Sequence, residues 1–223
     1  MAGVPHQSAE SYINTLIENG HSVAICEQVE DADQASGIVR RDVVQVITPG
    51  VQLNTENLQD KAPNFVAGVS IKGTGLKTEY GIAYLDVSTG QFRATEVDTY
   101  EGLVSELSRI EPQEILIPED REPLFEELRE MLKNAFFRPK DDSIFSVKPL
   151  LEKVEGEARL AEDIENDAYF LDRQSVEGLF QDIQGFGFQT DDIVQEAAAS
   201  VLDYVVETQR GIPSNVQGID PYH

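Results

Sequence analysis

Apolar residues near the N-terminus recur at helical spacing. Tyr12, Ile13, Leu16 and Ile17 share one face of a predicted helix, with Ser8 placed to cap it. Asn19-Gly20 supplies the stop, since glycine readily takes the left-handed conformation that closes a helix. A short apolar run over 23–29 predicts a strand, an acidic polar loop comes next over 30–37, and the alternation of Val43, Val44, Val46 and Ile47 predicts a second strand. Thr48-Pro49-Gly50 ends it. One helix and two strands do not close a core, so this stretch is expected to belong to something larger or to dock on the later part of the chain.

The polar, Asn-rich stretch 51–63 reads as a linker, after which the period changes. Apolar strands are predicted over 65–71, 80–87 and 92–97, with turns at Gly73-Thr74-Gly75 and Ser88-Thr89-Gly90, a β-meander. A helix over 100–110 places Leu103, Val104, Leu107 and Ile110 on one face. Glu114-Ile115-Leu116-Ile117 is a short strand that Pro118 ends. Pro123 is placed to open another helix, with Leu124, Phe125, Leu128, Met131 and Leu132 facing inward, and 135–138 reads as an edge strand before Pro139. The expected fold class is α/β with mixed α+β character: a mixed sheet flanked by helices. Beyond it the chain is helical and acidic, interrupted at Gly185-Phe186-Gly187. Ile193, Val194, Ala197, Ala198, Val201, Leu202, Val205 and Val206 then mark a strong amphipathic helix. The tail 211–223 has no period and is expected to fray.

Charge changes the picture more than composition does. With 17 Lys+Arg against 41 Asp+Glu, the 223-residue chain carries a formal net charge of −24. Non-specific DNA affinity comes mostly from basic residues that release counterions, so this chain is expected to grip DNA poorly by itself. Its acidity reads as a solubilising surface. No apolar run has the length of a membrane span, and the first residues lack the basic and apolar regions of a secretory signal, so the chain is expected to be soluble and cytoplasmic. The single cysteine, Cys26, lies in the run Val23-Ala24-Ile25-Cys26 and reads as a buried, inert thiol.

Candidate chemistry is sparse. No glycine is followed by lysine, so the phosphate-cradling P-loop is absent. His6, His21 and His223 are far apart and have no metal-ligand spacing to Cys26. The one constellation worth weighing is Leu85-Asp86-Val87-Ser88-Thr89-Gly90, a carboxylate at the end of a strand in a mixed sheet. A metal-dependent nuclease of RNase H type places an aspartate similarly, but needs further carboxylates converging there. Glu114 stands near a following strand, and the acidic residues of the later helices are indistinguishable from surface charge. The other reading is that Asp86 hydrogen-bonds its own turn through Ser88 and Thr89.

Several strings, in order and over nearly the whole chain, resemble one family. They are Met1-Ala2-Gly3-Val4-Pro5-His6 with Tyr12 and Leu16, Ser22-Val23-Ala24-Ile25-Cys26-Glu27-Gln28-Val29, and Arg41-Asp42-Val43-Val44-Gln45-Val46-Ile47-Thr48-Pro49-Gly50. Further on come Ala83-Tyr84-Leu85-Asp86-Val87-Ser88-Thr89-Gly90-Gln91-Phe92 and the helix from Ala197 that ends Glu207-Thr208-Gln209-Arg210. The family is bacterial MutS. The resemblance implies the end of a mismatch-recognition domain with an incomplete sheet over 1–50, a linker over 51–63 and an RNase H-like connector domain over 64–150. An acidic helical connection over 151–192 and the start of the lever/core domain over 193–223 would complete the chain.

The family's Phe-x-Glu motif, which wedges an aromatic ring beside a mispaired base, has no counterpart within 1–50, and Phe125-Glu126 is not that motif. The clamp and the P-loop ATPase, with its ATP and Mg, have no counterpart either. The resemblance therefore implies an incomplete piece that is not itself an enzyme, holds no cofactor, and uses Asp86 structurally. Implied partners are mismatched duplex DNA through the full-length protein and MutL. The family is homodimeric, and this piece is expected to be a monomer. Ala2, Gly3, Val4, Pro5 and His6 are candidates for approaching DNA or for a plain turn. Arg40 and Arg41, the basic residues of 1–50, are candidates for a phosphate contact or for a salt bridge to the acidic loop.

Overall fold

Gly20 takes φ +79° and its N–H bonds the Ile17 carbonyl at 2.8 Å, ending the first helix where Asn19-Gly20 predicts a stop. The computed structural model describes residues 3–28, 39, 41–51, 63–161, 170–185 and 192–222. This first helix, α1, spans His6–Glu18 and leads into β1 (Val23–Gln28), which pairs antiparallel with β2 (Arg41–Ile47). The helix begins before the expected Ser8 cap, because Pro5 occupies the capping position with extended backbone and its carbonyl accepts the Ser8 N–H at 2.9 Å. One helix over two strands leaves much apolar surface uncovered. Ile17 is buried, whereas Tyr12 is 57% and Leu16 43% exposed. For the same reason Cys26, expected to be buried, is only half-buried. The expected acidic loop and most of the linker lie outside the described residues.

The second unit is built on strands that are apolar on both faces. β3 (Phe65–Lys72), β4 (Glu79–Asp86) and β5 (Gln91–Val97) form the antiparallel meander. Next, α2 (Tyr100–Ile110) is capped by the Thr99 hydroxyl, which accepts the Gly102 N–H. β6 (Glu114–Pro118) then runs parallel to β3, and β7 (Phe136–Lys140) runs parallel to β6. Pro139 falls inside β7, which is tolerated because β7 is an edge strand. Between β6 and β7 the chain departs from expectation. Residues Glu119–Phe125 form 3-10 turns, and α3 (Glu126–Met131) starts only after them. The tighter winding changes the phase of the side chains, so Phe125 and Leu128 point inward but Leu124 and Met131 are more than half exposed.

Three further helices follow among the described residues: α4 (Val147–Ala161), α5 (Arg173–Gly185) and α6 (Ile193–Gln209). Alternation along the strands divides the core in two. Ala67, Val69, Ile82, Ile115 and Ile117 face α2 and Phe125. Val66, Ala83, Leu85 and Leu116 face α6, with α4 and α5 packed in the same cluster. The resemblance implies that 193–223 opens another domain, and the spacing of apolar residues gives α6 one apolar face. The structure lays α6 across β3 and β4, sharing their core, and buries it nearly all round rather than on one face. Its small residues allow this. A side chain at Gly68 would meet the Ser200 hydroxyl and the Ala197 carbonyl, and one at Gly81 would lie 2.2 Å from the Ile193 carbonyl oxygen. The Ser70 hydroxyl donates to that same carbonyl at 2.5 Å, and buried Asp203 of α6 is met by Lys153 of α4 at 2.7 Å.

The tail does not fray. Ile212, Val216 and Ile219 are buried, and β8 (Asp220–Pro221) pairs parallel with β5, giving the order β7-β6-β3-β4-β5-β8. Tyr222 is held by the Arg93 and Arg109 guanidiniums at 4.4 and 5.5 Å from its ring centroid, while its hydroxyl donates to Glu106. Burial and the Glu106 charge raise the Tyr222 pKa. Burial works against the charged form of Glu106, but hydrogen bonds from Arg109 and Tyr222 outweigh it and hold that carboxyl below its ordinary range.

Gly81→Ala drives a methyl group into a backbone carbonyl that cannot rotate away, and is expected to cost about 3 kcal/mol. Urea unfolding followed by far-UV circular dichroism measures this, and a neutral result would contradict the close seating of α6.

Candidate functional site

Glu114 opens the central parallel strand β6 and is 0% exposed, so its carboxylate must be met by donors from elsewhere in the chain. Four donors converge on it. Oε2 accepts from the Thr48 hydroxyl at 2.5 Å and from the Gly50 N–H at 2.9 Å. Oε1 accepts from Arg138 Nε at 2.8 Å and from the Tyr204 hydroxyl at 3.2 Å. One buried carboxylate thus ties the exit of β2, the edge strand β7 and the central helix α6 to the middle of the sheet.

Each arm has a local cause. The turn Thr48–Val51 is closed by reciprocal backbone bonds of 3.2 and 3.3 Å. Gly50 is required there by space, since a side chain would lie 2.8 Å from Cβ of Glu114. Arg138 reaches in both directions, its Nη2 donating to the Gly20 carbonyl at 2.8 Å, so the α1–β1 corner is fixed to the same carboxylate. Burial, and after it the Glu114 charge, raises the Tyr204 pKa strongly. The phenol therefore stays protonated and remains a donor.

A second set of contacts joins the end of α6 to β2. Gln209 Nε2 donates to the Val46 carbonyl at 3.0 Å, Gln45 Nε2 donates to Gln209 Oε1 at 3.0 Å, and Arg210 Nη2 donates to the Val43 carbonyl at 3.1 Å. Lys140 of β7 pairs with Glu207 at 2.9 Å. Between the two sets lies a polar cleft of about 390 Å³, lined among others by Ser22, Thr48, Arg138, Lys140, Tyr204 and Glu207. Sequence reasoning misses this junction, because Glu114 is one of many acids. The available signal is its position, a charge opening an apolar run in a strand covered on both faces.

Asp86 belongs to its turn. Its Oδ1 accepts from the Ser88 N–H at 2.9 Å, the Ser88 hydroxyl at 2.7 Å and the Thr89 N–H at 3.4 Å. Asn215 of the tail donates to the Val87 and Ser88 carbonyls and seats the turn on the chain's end. Among the described residues no group of three His, Cys, Asp or Glu is placed to hold a metal ion, so nothing converges on Asp86 for two-metal chemistry. Among the same residues, no helix is long and apolar enough to cross a membrane. Of the candidate DNA-approaching residues, Gly3, Val4 and Pro5 are exposed ahead of α1, which His6 opens, and Arg41 is exposed at the start of β2 opposite Gln28. Ala2 and Arg40 lie outside the described residues.

The fold and junction define a modular α/β chain, in which a small helix-and-two-strand unit is fastened to a complete mixed-sheet unit. The MutS domain I family model matches residues 1–56, and the MutS domain II model matches 64–220. The chain belongs to the MutS family. It is 38% identical to the DNA mismatch repair protein MutS of Thermosynechococcus vestitus, over 100% of this chain and 24% of that protein. Its identity to the protein of the same name from Syntrophobacter fumaroxidans is 36%, over 100% of this chain and 22% of that one. With the Alkaliphilus metalliredigens protein of that name it shares 49% over 52% of this chain and 13% of that protein. The chain spans about a quarter of the length of the curated relatives it matches from end to end. The domain II match runs through α6 and most of the tail, in keeping with their packing on the sheet.

Glu114→Ala leaves Arg138, Thr48 and Gly50 without their buried acceptor and is expected to cost about 3 kcal/mol or more. Asp86→Asn keeps the Oδ1 acceptor of the turn and is expected to stay within about 1 kcal/mol of the parent. Paired urea titrations check this, and the reverse order of costs would contradict the roles given to the two carboxylates.

Proposed function

We propose that this chain is the non-catalytic connecting part of a MutS-type DNA mismatch-repair protein. It joins a DNA-reading head to the core and offers a surface to MutL. The observation that carries this reading is the junction itself. A buried carboxylate that accepts four hydrogen bonds fastens the domain I segment to the domain II sheet. The names of the relatives supply the process, and the order of the two matched domains supplies the direction of the connection.

In this reading mismatched duplex DNA is a partner of the full-length protein, and homodimerisation belongs there too. ATP and Mg serve its ATPase, and this chain alone is a cytoplasmic monomer that holds no cofactor. Ala2, Gly3, Val4, Pro5 and His6, with Arg40 and Arg41, are the part that approaches DNA when the head is complete. Alone it contributes little, because a net charge of −24 opposes binding to a polyanion.

Fluorescence anisotropy of the chain against matched and mismatched duplexes at low salt tests this. No binding into the high-micromolar range is expected, and mismatch-selective binding would overturn the reading. Co-purification with MutL is expected in a pull-down, and its absence would remove the MutL surface from the proposal.

A further inference from the structure

In the sheet unit two large apolar side chains stand more than half in water among the described residues, Leu124 at 52% and Met131 at 55%. The others so exposed, Val4, Tyr12, Leu16 and Val44, belong to the first unit. The pair owes its position to the 3-10 turns Glu119–Phe125 that precede α3. Each residue advances about 120° in a 3-10 turn and about 100° in an α-helix, so the path from Leu124 to Met131 returns to within about 30° of its starting direction. The two side chains therefore share one face, roughly two turns apart. Glu127, also exposed, falls between them on that face.

The rim of this face carries one sign of charge. The stretch 119–133 holds six acids and three bases. Arg121 is taken by Asp120 at 3.2 Å and Arg129 by Glu122 at 2.6 Å, with Arg129 also lying over the Phe137 ring. Exposed Glu119, Glu126, Glu127 and Glu130 are left without an ion pair among the described residues, and Lys133 is the remaining base. The turn Asp142–Phe145 brings further acids alongside. The Asp142 carboxyl is raised by burial and then by the neighbouring charges of Asp120 and Asp141.

We infer that this face is a docking surface for a basic amphipathic helix of another protein. Leu124 and Met131 meet two apolar side chains one heptad apart, and the free carboxylates around them receive lysines or arginines. An apolar centre inside a polar rim is the form that interaction sites take. Burial of the pair supplies affinity, and the rim steers the partner and rejects others. The charge selects the occupant: a second copy of this chain brings another −24, and duplex DNA or an anionic membrane is repelled for the same reason. The inference goes beyond the connector role and depends on neither the junction nor MutL, so a failed MutL pull-down would leave it standing.

The test uses the full chain and a fluorescein-labelled helical peptide of leucine, lysine and alanine with its leucines one heptad apart. A second peptide has the same composition with the leucines scattered around the helix. Anisotropy is read at about 0.15 M salt, where bulk charge is screened. The patterned peptide is expected to bind at least about ten-fold more tightly than the scattered one. Leu124→Ser with Met131→Ser, and separately Glu126→Lys with Glu130→Lys, are each expected to weaken it about ten-fold or more. The lysine pair leaves the apolar contacts of α3 in place, so it reports even where serine loosens the helix end. Glu18→Lys with Glu152→Lys makes the same change of net charge at exposed positions of α1 and α4, and is expected to stay within about two-fold of the parent. Equal loss in that variant would reduce the binding to bulk charge and overturn the surface. So would no binding by the parent, no preference for the patterned peptide, or an affinity that both patch variants leave unchanged.

Discussion

A carboxylate with no exposed surface has to be surrounded by donors or be neutralised, and at Glu114 the chain provides the donors from three distant stretches. An unmatched charge there would cost several kcal/mol, so the positions of Thr48, Gly50, Arg138 and Tyr204 are not independent. Strand β6 can carry Glu114 only if the exit of β2 turns at Thr48–Val51 and β7 brings Arg138 alongside. Tyr204 meets the same carboxylate from α6, whose seat is fixed separately by the close approaches at Gly68 and Gly81. The result is a sheet unit whose order is set by apolar packing and a first unit whose place is set by polar bonds.

The two kinds of attachment suit two tasks. The mixed sheet is covered on one face by α2 and the turns around Phe125, on the other by α6 with α4 and α5 beyond it, and its outer edge is closed by β8 and the Tyr222 ring between two arginines. That unit has an apolar core cluster on each face of its sheet. The α1–β1–β2 unit leaves Tyr12 and Leu16 largely in water and has no core cluster of its own among the described residues. In this MutS-family chain the domain I segment is located by a small number of named bonds to the sheet unit.

Much of the sheet is legible in the sequence because strands and turns have short-range signatures. The β-meander, α2 and β6 follow from strand alternation, the helical spacing of Leu103, Val104, Leu107 and Ile110, and the Gly- and Ser-rich turns, and the role of Asp86 follows from Ser88 and Thr89 beside it. The illegible features depend on distant partners. The tail looks irregular, yet Ile212, Val216 and Ile219 find the sheet's core and Tyr222 finds Arg93, Arg109 and Glu106. The burial of α6 all round is hidden because its alanines fit either face, and only the glycines of β3 and β4 show which neighbour they meet. Glu114 is hidden among 41 acidic residues, since nothing local marks an acid that is about to receive four donors.

Hydrogen–deuterium exchange followed by mass spectrometry on the whole chain most directly tests the division into a self-supporting sheet and a dependent first unit. The account predicts that amides of β1 and β2 exchange well before those of β3, β4 and α6, with the slowest exchange across the strands that α6 covers. Equal protection of β1, β2 and the central strands would contradict it, because the first unit would then be held by a core it does not share.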